Sequence, residues 1–341
     1  MTLKNYIEQT ILPQYDAFDG GHRRDHAETV IRESLKLARE NQVDEQMAYV
    51  IAAYHDLGLR VDREKHHIHS GEILMADKTL RQWFTEEQLL TMRDAIEDHR
   101  ASGKNPPRTI YGAIVAEADR QIDPQTVVQR TMAYSAKLLP NAPFNELYQR
   151  SKEHLLEKYA EGGYLHLWLN SERNVQGLAS LRNIIRDEMQ LRKMCKDWFY
   201  QSFLPQIQSL LADESDMIAK MANTAAVLHE AFGFWWIGFY RVDGQQLVLG
   251  PFQGPIACTR IPFGRGVCGT AWQKEETIIV PNVHEFAGHI ACSSASNSEI
   301  VVPIWQNGNV IAVLDIDSID YNTFDEIDKK YLEQIGLLIC T

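Results

Sequence analysis

WWIGFYRVDGQQLVLGPF, residues 235–252, is where the character of this chain turns. An aromatic and β-branched run reaches Val242, Asp243 and Gly244 supply turn chemistry, and a second apolar run follows, the pattern of a β-hairpin. Downstream, ETIIVPNV (276–283), EIVVPIWQ (299–306) and NVIAVLDID (309–317) repeat that texture, with QNGN (306–309) as another turn. The chain closes on TFDEIDKKYLEQIGLLI (323–339), which predicts a helix capped by Thr323 or Asp325. Two further helical stretches lead up to Phe232. Helices flanking a central antiparallel sheet make an α+β domain.

Upstream the pattern is helical throughout. DHAETVIRESLKLARE (25–40) places Ala27, Val30, Ile31, Leu35 and Ala38 on one stripe with charges opposite. DEQMAYVIAAYHDLG (44–58) begins with an acidic first turn and reaches Gly58, a C-terminal stop signal. EEQLLTMRDAIEDHR (86–100) and IYGAIVAEADRQI (110–122) repeat the periodicity. With 341 residues and 39.1 kDa, two domains are expected: an all-α domain over 1–192 and an α+β domain over 193–341.

The net charge of -12 argues against broad nucleic-acid binding. No apolar run approaches the length of a membrane span, and the first residues lack a basic region followed by an apolar stretch. A cytoplasmic protein without membrane attachment is the expectation. Histidine and cysteine segregate: nine of the twelve histidines precede Cys195, and all five cysteines (195, 258, 268, 292, 340) lie at or after it. One half is equipped for nitrogen and oxygen ligands, the other for sulfur chemistry. In a reducing compartment such cysteines serve catalysis or metal binding more often than structural disulfides.

In the helical half, His26, the adjacent pair His55 and Asp56, and Asp119 lie among apolar neighbours, where polar groups need partners. Two imidazoles and two carboxylates suit Fe, Mn, Zn or Mg. Neighbouring helix positions point about 100° apart, so His55 and Asp56 can share one metal only at an irregular helix end. DHAETV, YHDLG and EADR, in that order, resemble the H…HD…D signature of the HD superfamily. The resemblance implies a metal-dependent phosphohydrolase in which His26, His55, Asp56 and Asp119 hold one divalent metal, acting on a phosphorylated small molecule or nucleotide. KHHIHSGE (65–72) and EDHR (97–100) offer more histidines, and His67 and His99 are the candidate second-metal ligands. The alternative makes these solvated histidines on a mononuclear or metal-free domain.

In the other half, LGPFQGPIACTRIPFGRGVCGTAW (249–272) holds Cys258 and Cys268, and VHEFAGHIACSSASNSEIVVP (283–303) holds Cys292. Glycines 250, 254, 264, 266 and 269 predict tight turns and close backbone approach around a small pocket. Asp315 and Asp317, two apart on a strand, point to one face, and Trp236 and Tyr240 could wall the pocket. Without a CxxC pair, zinc held with His284 and His289 is the minor reading; inert burial suits Cys195 and Cys340.

WWIGFY, GPFQGPIAC, GRGVCGTAW, GHIAC, SNSEIVVP and VLDIDS are similar to the free methionine-(R)-sulfoxide reductases, a GAF-domain family. The resemblance implies Cys292 as nucleophile, Cys258 as resolving cysteine and Cys268 as an alternative resolver, with no cofactor in this domain. It further implies that Glu299, Asp315 and Asp317 bind the amine and the sulfoxide oxygen of free methionine sulfoxide, that Trp236 and Tyr240 enclose its thioether, and that thioredoxin is the reductant. Ser293 and Asn282 stand where that family usually has Asp, and losing two negative charges should ease thiolate formation at Cys292. GAF domains often pair, so a homodimer is an assembly to look for. The competing reading makes the GAF-like domain a small-molecule or redox sensor that regulates the helical one. Three placed cysteines favour the enzyme.

Overall fold

The computed structural model describes residues 1–18, 23–100, 105–290 and 294–340. Cys292 and Ser293 lie outside the described residues. Contacts divide the chain into two compact units: Met1–Val127 with Leu156–Arg186, and Val128–Leu155 with Asp187–Thr341. Among the described residues no helix is long and apolar enough to cross a membrane.

The first unit is built from helices α1 (Leu3–Tyr6), α2 (Arg24–Glu40), α3 (Glu45–Tyr54), α4 (His66–Ala76), α5 (Glu86–Asp98), α6 (Ile110–Asp119) and α9 (Glu172–Arg186). Parts of α7 (Pro124–Leu138) and α8 (Phe144–Tyr159) belong to it as well. Its core joins Ile7, Ile11 and Tyr15 to the apolar stripe of α2 and to α3, which is buried along nearly its whole length. Side-chain caps fix where helices begin. Asp44 accepts from the amides of Gln46 and Met47, Thr85 and Gln88 form a reciprocal capping box, and Thr109 accepts from Gly112. Each such cap is worth about 1 kcal/mol.

The second unit carries α10 (Glu188–Leu211) and α11 (Met217–Phe232), then the sheet. Its strands are β1 (Trp236–Asp243), β2 (Gln246–Gln253), β3 (Arg260–Pro262), β4 (Ile278–Val280), β5 (Ser298–Gln306) and β6 (Asn309–Ser318), in the order β3-β2-β1-β6-β5-β4. Every pairing is antiparallel. The closing helix, α13 (Glu326–Cys340), is capped by Asp325, whose side chain accepts from the amide of Ile327. Two local readings change. The short strand β3 escapes a pattern search because three residues show no alternation. GRGVCGTAW is not a run of turns: Gly266 to Lys274 form helix α12, with Gly269 placed where a Cβ would meet the Pro262 carbonyl at 2.5 Å. Gly269 serves close backbone approach, while Gly264 just before the helix and Gly266 at its start take left-handed φ of 71° and 64°, as turns require.

Candidate functional sites

Helix α3 ends at Tyr54; His55 keeps helical angles, but Asp56 leaves them (φ -109°, ψ 3°) and a one-turn 3₁₀ segment, Leu57–Arg60, follows. This break lets two consecutive side chains face one point. The His55 Nδ1 donates to the Ala52 carbonyl at 2.7 Å, so its Nε2 presents a lone pair. His99 repeats the device on Ile96 O (2.6 Å) and His66 on Arg63 O (2.9 Å). Such partners fix the tautomer of ligating imidazoles.

Around Asp56 the lone pairs converge in two groups. His26, His55 and Asp119 form one, and Asp56, His66 and His99 the other. His55 Nε2 is 3.3 Å from His26 Nε2, and His26 Nε2 is 3.2 Å from Asp119 Oδ1. His66 Nε2 is 3.2 Å from His99 Nε2. Asp56 serves both: Oδ2 lies 3.2 Å from His55 and 3.6 Å from His26, while Oδ1 lies 3.5 Å from both His66 and His99. Facing imidazole lone pairs repel unless a cation or proton sits between them. Burial opposes charge on His26, yet Asp119 and Asp56 outweigh it and push its pKa up to about 9. Burial likewise raises Asp119, and the imidazoles overcome it to bring the carboxyl down to about 2. The donor set therefore asks for positive charge and fits divalent metal.

His66, rather than His67, joins this cluster. His66 and Ser70 lie one turn apart on α4, and Ser70 Oγ accepts from the Gly58 amide at 2.8 Å. Gly58 seats that face against the His55–Asp56 turn: a Cβ there would lie 2.1 Å from the His66 carbonyl oxygen. Its role is close approach, not helix termination. One position on, His67 is rotated away, with its Nδ1 buried and without a partner. Spacing from an inward Ser70 leaves His66 and His67 equivalent, four and three residues before it, and the approach of Gly58 to the His66 carbonyl decides between them.

In the second unit, strand register builds the site. Trp236 pairs with Asp317 and Asp317 with Glu299, so three strands place these residues in one row. The next row aligns Gly238, Asp315 and Val301. Alternation then brings Trp236, Tyr240, Glu299, Asp315 and Asp317 to one face. Gly238 keeps that face open, because a Cβ there would lie 2.6 Å from the end of the Trp236 indole. Trp236 and Tyr240 stack at 5.9 Å, donating to the carbonyls of Pro255 (3.1 Å) and Cys258 (3.0 Å). These residues line a cavity with Ile256, Cys268, His289 and Ser296. Ser296 and His289 are additions to the expected set.

Here the carboxylates face chiefly one another, with a single imidazole, His289, set 3.9 Å from Glu299 Oε2 among the described residues. Burial, then mutual repulsion with Asp315 and Asp317, pushes Glu299 well above the usual carboxylate range. Burial and Asp317 do the same to Asp315, whose Oδ1 is buried without a partner. Burial raises Asp317 only to about 6, Ser296 opposing it by a hydrogen bond. Cys268 Sγ donates to Glu299 Oε1 at 3.9 Å, and burial and the neighbouring acids push its thiol pKa well up. Cys258 is disulfide-bonded, whereas Cys195, Cys268 and Cys340 are free.

Residues 212–339 match the GAF domain family and residues 23–121 the HD domain family. The chain is 59% identical over 154 residues to GAF domain-containing protein A of Dictyostelium discoideum, covering 45% of this chain and 98% of that one. Over 143 residues it is 47% identical to the free methionine-R-sulfoxide reductase of Escherichia coli, covering 42% and 87% respectively. The chain belongs to the free methionine-R-sulfoxide reductase family. Its yeast member, from Saccharomyces cerevisiae, is 40% identical over 153 residues, covering 42% of this chain and 85% of that one. The reductase-family chain also carries an HD domain on its N-terminal side.

Proposed function

We propose that the chain joins two enzymes, a free methionine-(R)-sulfoxide reductase over 193–341 and a metal-dependent phosphohydrolase over 1–192. The observation that carries the first is the row of raised carboxyls beside an aromatic pair, in a family member whose Cys258 is disulfide-bonded. In this reading the Cys292 thiolate attacks the sulfoxide sulfur while Glu299 or Asp315, held protonated, delivers a proton to the oxygen. Methionine leaves, Cys292 becomes a sulfenic acid, and the Cys258 thiolate displaces water from it to form a disulfide. A dithiol such as thioredoxin restores both thiols. Asp317, ionised at neutral pH, takes the substrate ammonium, and Trp236 and Tyr240 cover the methyl thioether. Cys268, buried and with a raised pKa, is poorly suited to resolve the intermediate.

The test is NADPH consumption with thioredoxin and thioredoxin reductase, comparing free L-methionine-(R)-sulfoxide, its S epimer and a peptide-bound sulfoxide. Turnover confined to the free R form is expected. Failure on all three would favour a ligand-sensing role for the cavity.

For the helical half, the carrying observation is Asp56 bridging two histidine pairs. His26, His55, Asp56 and Asp119 would hold one divalent ion, and Asp56, His66 and His99 a second. A divalent metal bound there supplies Lewis-acid polarisation of a phosphoryl oxygen and a more acidic water. The chain's own part is to fix the imidazole tautomers through Ala52, Ile96 and Arg63 and to hold Asp56 between the two groups. Metal content of purified protein, with phosphate release from p-nitrophenyl phosphate, tests this reading.

A further inference from the structure

Cys268 is a buried thiol that the sulfoxide chemistry does not use. Its place is nevertheless tightly set. It stands in the first turn of α12, a helix packed over β5 and β6, with Gly269 pressed against the Pro262 carbonyl. Glu299 on β5 and Asp315 on β6 are diagonal neighbours, because Glu299 pairs with Asp317 and Val301 with Asp315. One donor atom from each of Cys268, Glu299 and Asp315 lies within 4.8 Å of the other two. Cys268 Sγ is 3.9 Å from Glu299 Oε1. Asp315 lines the cavity at 6% exposure, and its Oδ1 is buried without a hydrogen-bond partner.

A thiol and two carboxyls make a sulfur–oxygen donor set on three different elements. Donors around a tetrahedral zinc ion at roughly 2.0–2.3 Å stand about 3.5 Å apart. The three atoms are therefore little more than an ångström from that spacing. His289 lines the same cavity, with Nε2 3.9 Å from Glu299 Oε2, and lies outside the converging three. Three protein ligands with a fourth position open to a cavity suit an exchangeable ion, since structural zinc sites are closed. Burial and mutual repulsion keep protons on the acids, and burial keeps one on the thiol. An arriving divalent ion displaces those protons to solvent and takes the thiolate and both carboxylates, leaving one net negative charge; no electron moves.

We propose that Cys268, Glu299 and Asp315 form a binding site for a thiophilic divalent ion such as Zn²⁺, which occupies the sulfoxide cavity and excludes the substrate. The ion is an inhibitor arriving from solution, not a resident cofactor. Its inhibitory effect rests on the reading that Glu299 and Asp315 receive methionine sulfoxide. Cys268 is free while Cys258 is disulfide-bonded, so the donor set is complete in that oxidised form.

The experiment titrates the oxidised full chain with Co²⁺, whose thiolate-to-metal charge-transfer absorption reports sulfur ligation. Any Co²⁺ held by the histidine–carboxylate cluster is silent in that band, because no cysteine precedes Cys195. The band should saturate at about one equivalent, and Zn²⁺ should bleach it. Cys268→Ser should abolish it and Cys340→Ser should leave it in place. Glu299→Gln, which keeps the thiol, should raise the Co²⁺ dissociation constant by at least about tenfold. No band in the wild-type chain, or a band that survives Cys268→Ser, would overturn the site. Free L-methionine-(R)-sulfoxide should displace the ion and remove the band. Substrate that turns over with thioredoxin yet leaves the band unchanged would overturn the exclusion. A Cys268-dependent band with neither displacement nor turnover on any sulfoxide would overturn the reductase reading of the cavity and leave the metal site standing.

Discussion

Asp119 in the helical unit, partly exposed, and Asp315 in the sheet unit, buried, both sit in polar clusters, and they end in opposite charge states. Burial acts on both in the same direction, against ionisation. The neighbours decide. Asp119 faces His26 and His55 and is driven down to about 2; Asp315 faces Asp317 and Glu299 and is driven well above the ordinary range. One cluster is a set of bases that gathers cations, the other a set of acids that stores protons. A buried carboxylate is read from the residues around it, not from its depth.

The sharpest way to break this contrast is to remove the shared carboxylate. Asp56→Ala should cost both metal groups their bridge, lowering bound metal by elemental analysis and phosphate release by at least about a hundredfold, with sulfoxide reduction untouched. Cys292→Ser should abolish even a single turnover of methionine sulfoxide, whereas Cys258→Ser should allow one and stop cycling with thioredoxin; rapid-quench product counting separates the two.

Asp315→Asn sharpens the comparison through stability. Because the folded pKa of Asp315 is raised, ionisation works against the folded state as pH rises, so its amide should stabilise at pH 7. Melting should move up by a few degrees, on the order of 1 kcal/mol, while reductase kcat/KM falls roughly a hundredfold. For Asp317 the sign is the same and the window is visible: its contribution is full below about pH 4 and is lost as pH climbs through about 6. The reductase kcat/KM should accordingly drop below about pH 6, where Asp317 takes up its proton and no longer holds an ammonium. The smallest contrast is between adjacent histidines. His66→Gln should lose about one equivalent of metal and His67→Gln none, by the same elemental analysis; equal losses would remove the assignment of His66.

Most of the two clusters could be read from residue order. The stripe of α2 positions His26, and alternation along β6 pairs Asp315 with Asp317; both follow from periodicity alone. Three things could not be read that way. Choosing between His66 and His67 requires knowing which face of α4 meets Gly58, a tertiary contact. The helix α12 hides behind glycines, one of which, Gly269, is there for proximity to Pro262. Ser296, which tempers Asp317, sits in a serine-rich loop where no periodicity ranks one hydroxyl above another. Local pattern finds elements and long-range contact chooses among equivalent neighbours.

The alignment of Trp236, Asp317 and Glu299 across three hydrogen-bonded strands makes the sulfoxide cavity a ruler. Its divisions are the interstrand spacing of about 4.8 Å, set by backbone hydrogen bonds rather than by side-chain choice. A slip of β6 by one residue would turn Leu314 and Ile316 inward and hand both acids to the opposite face, leaving a greasy slot with the same outline. Recognition in this half of the chain is thus quantised: it holds in one register, and an adjacent register would not weaken it by degrees but erase it.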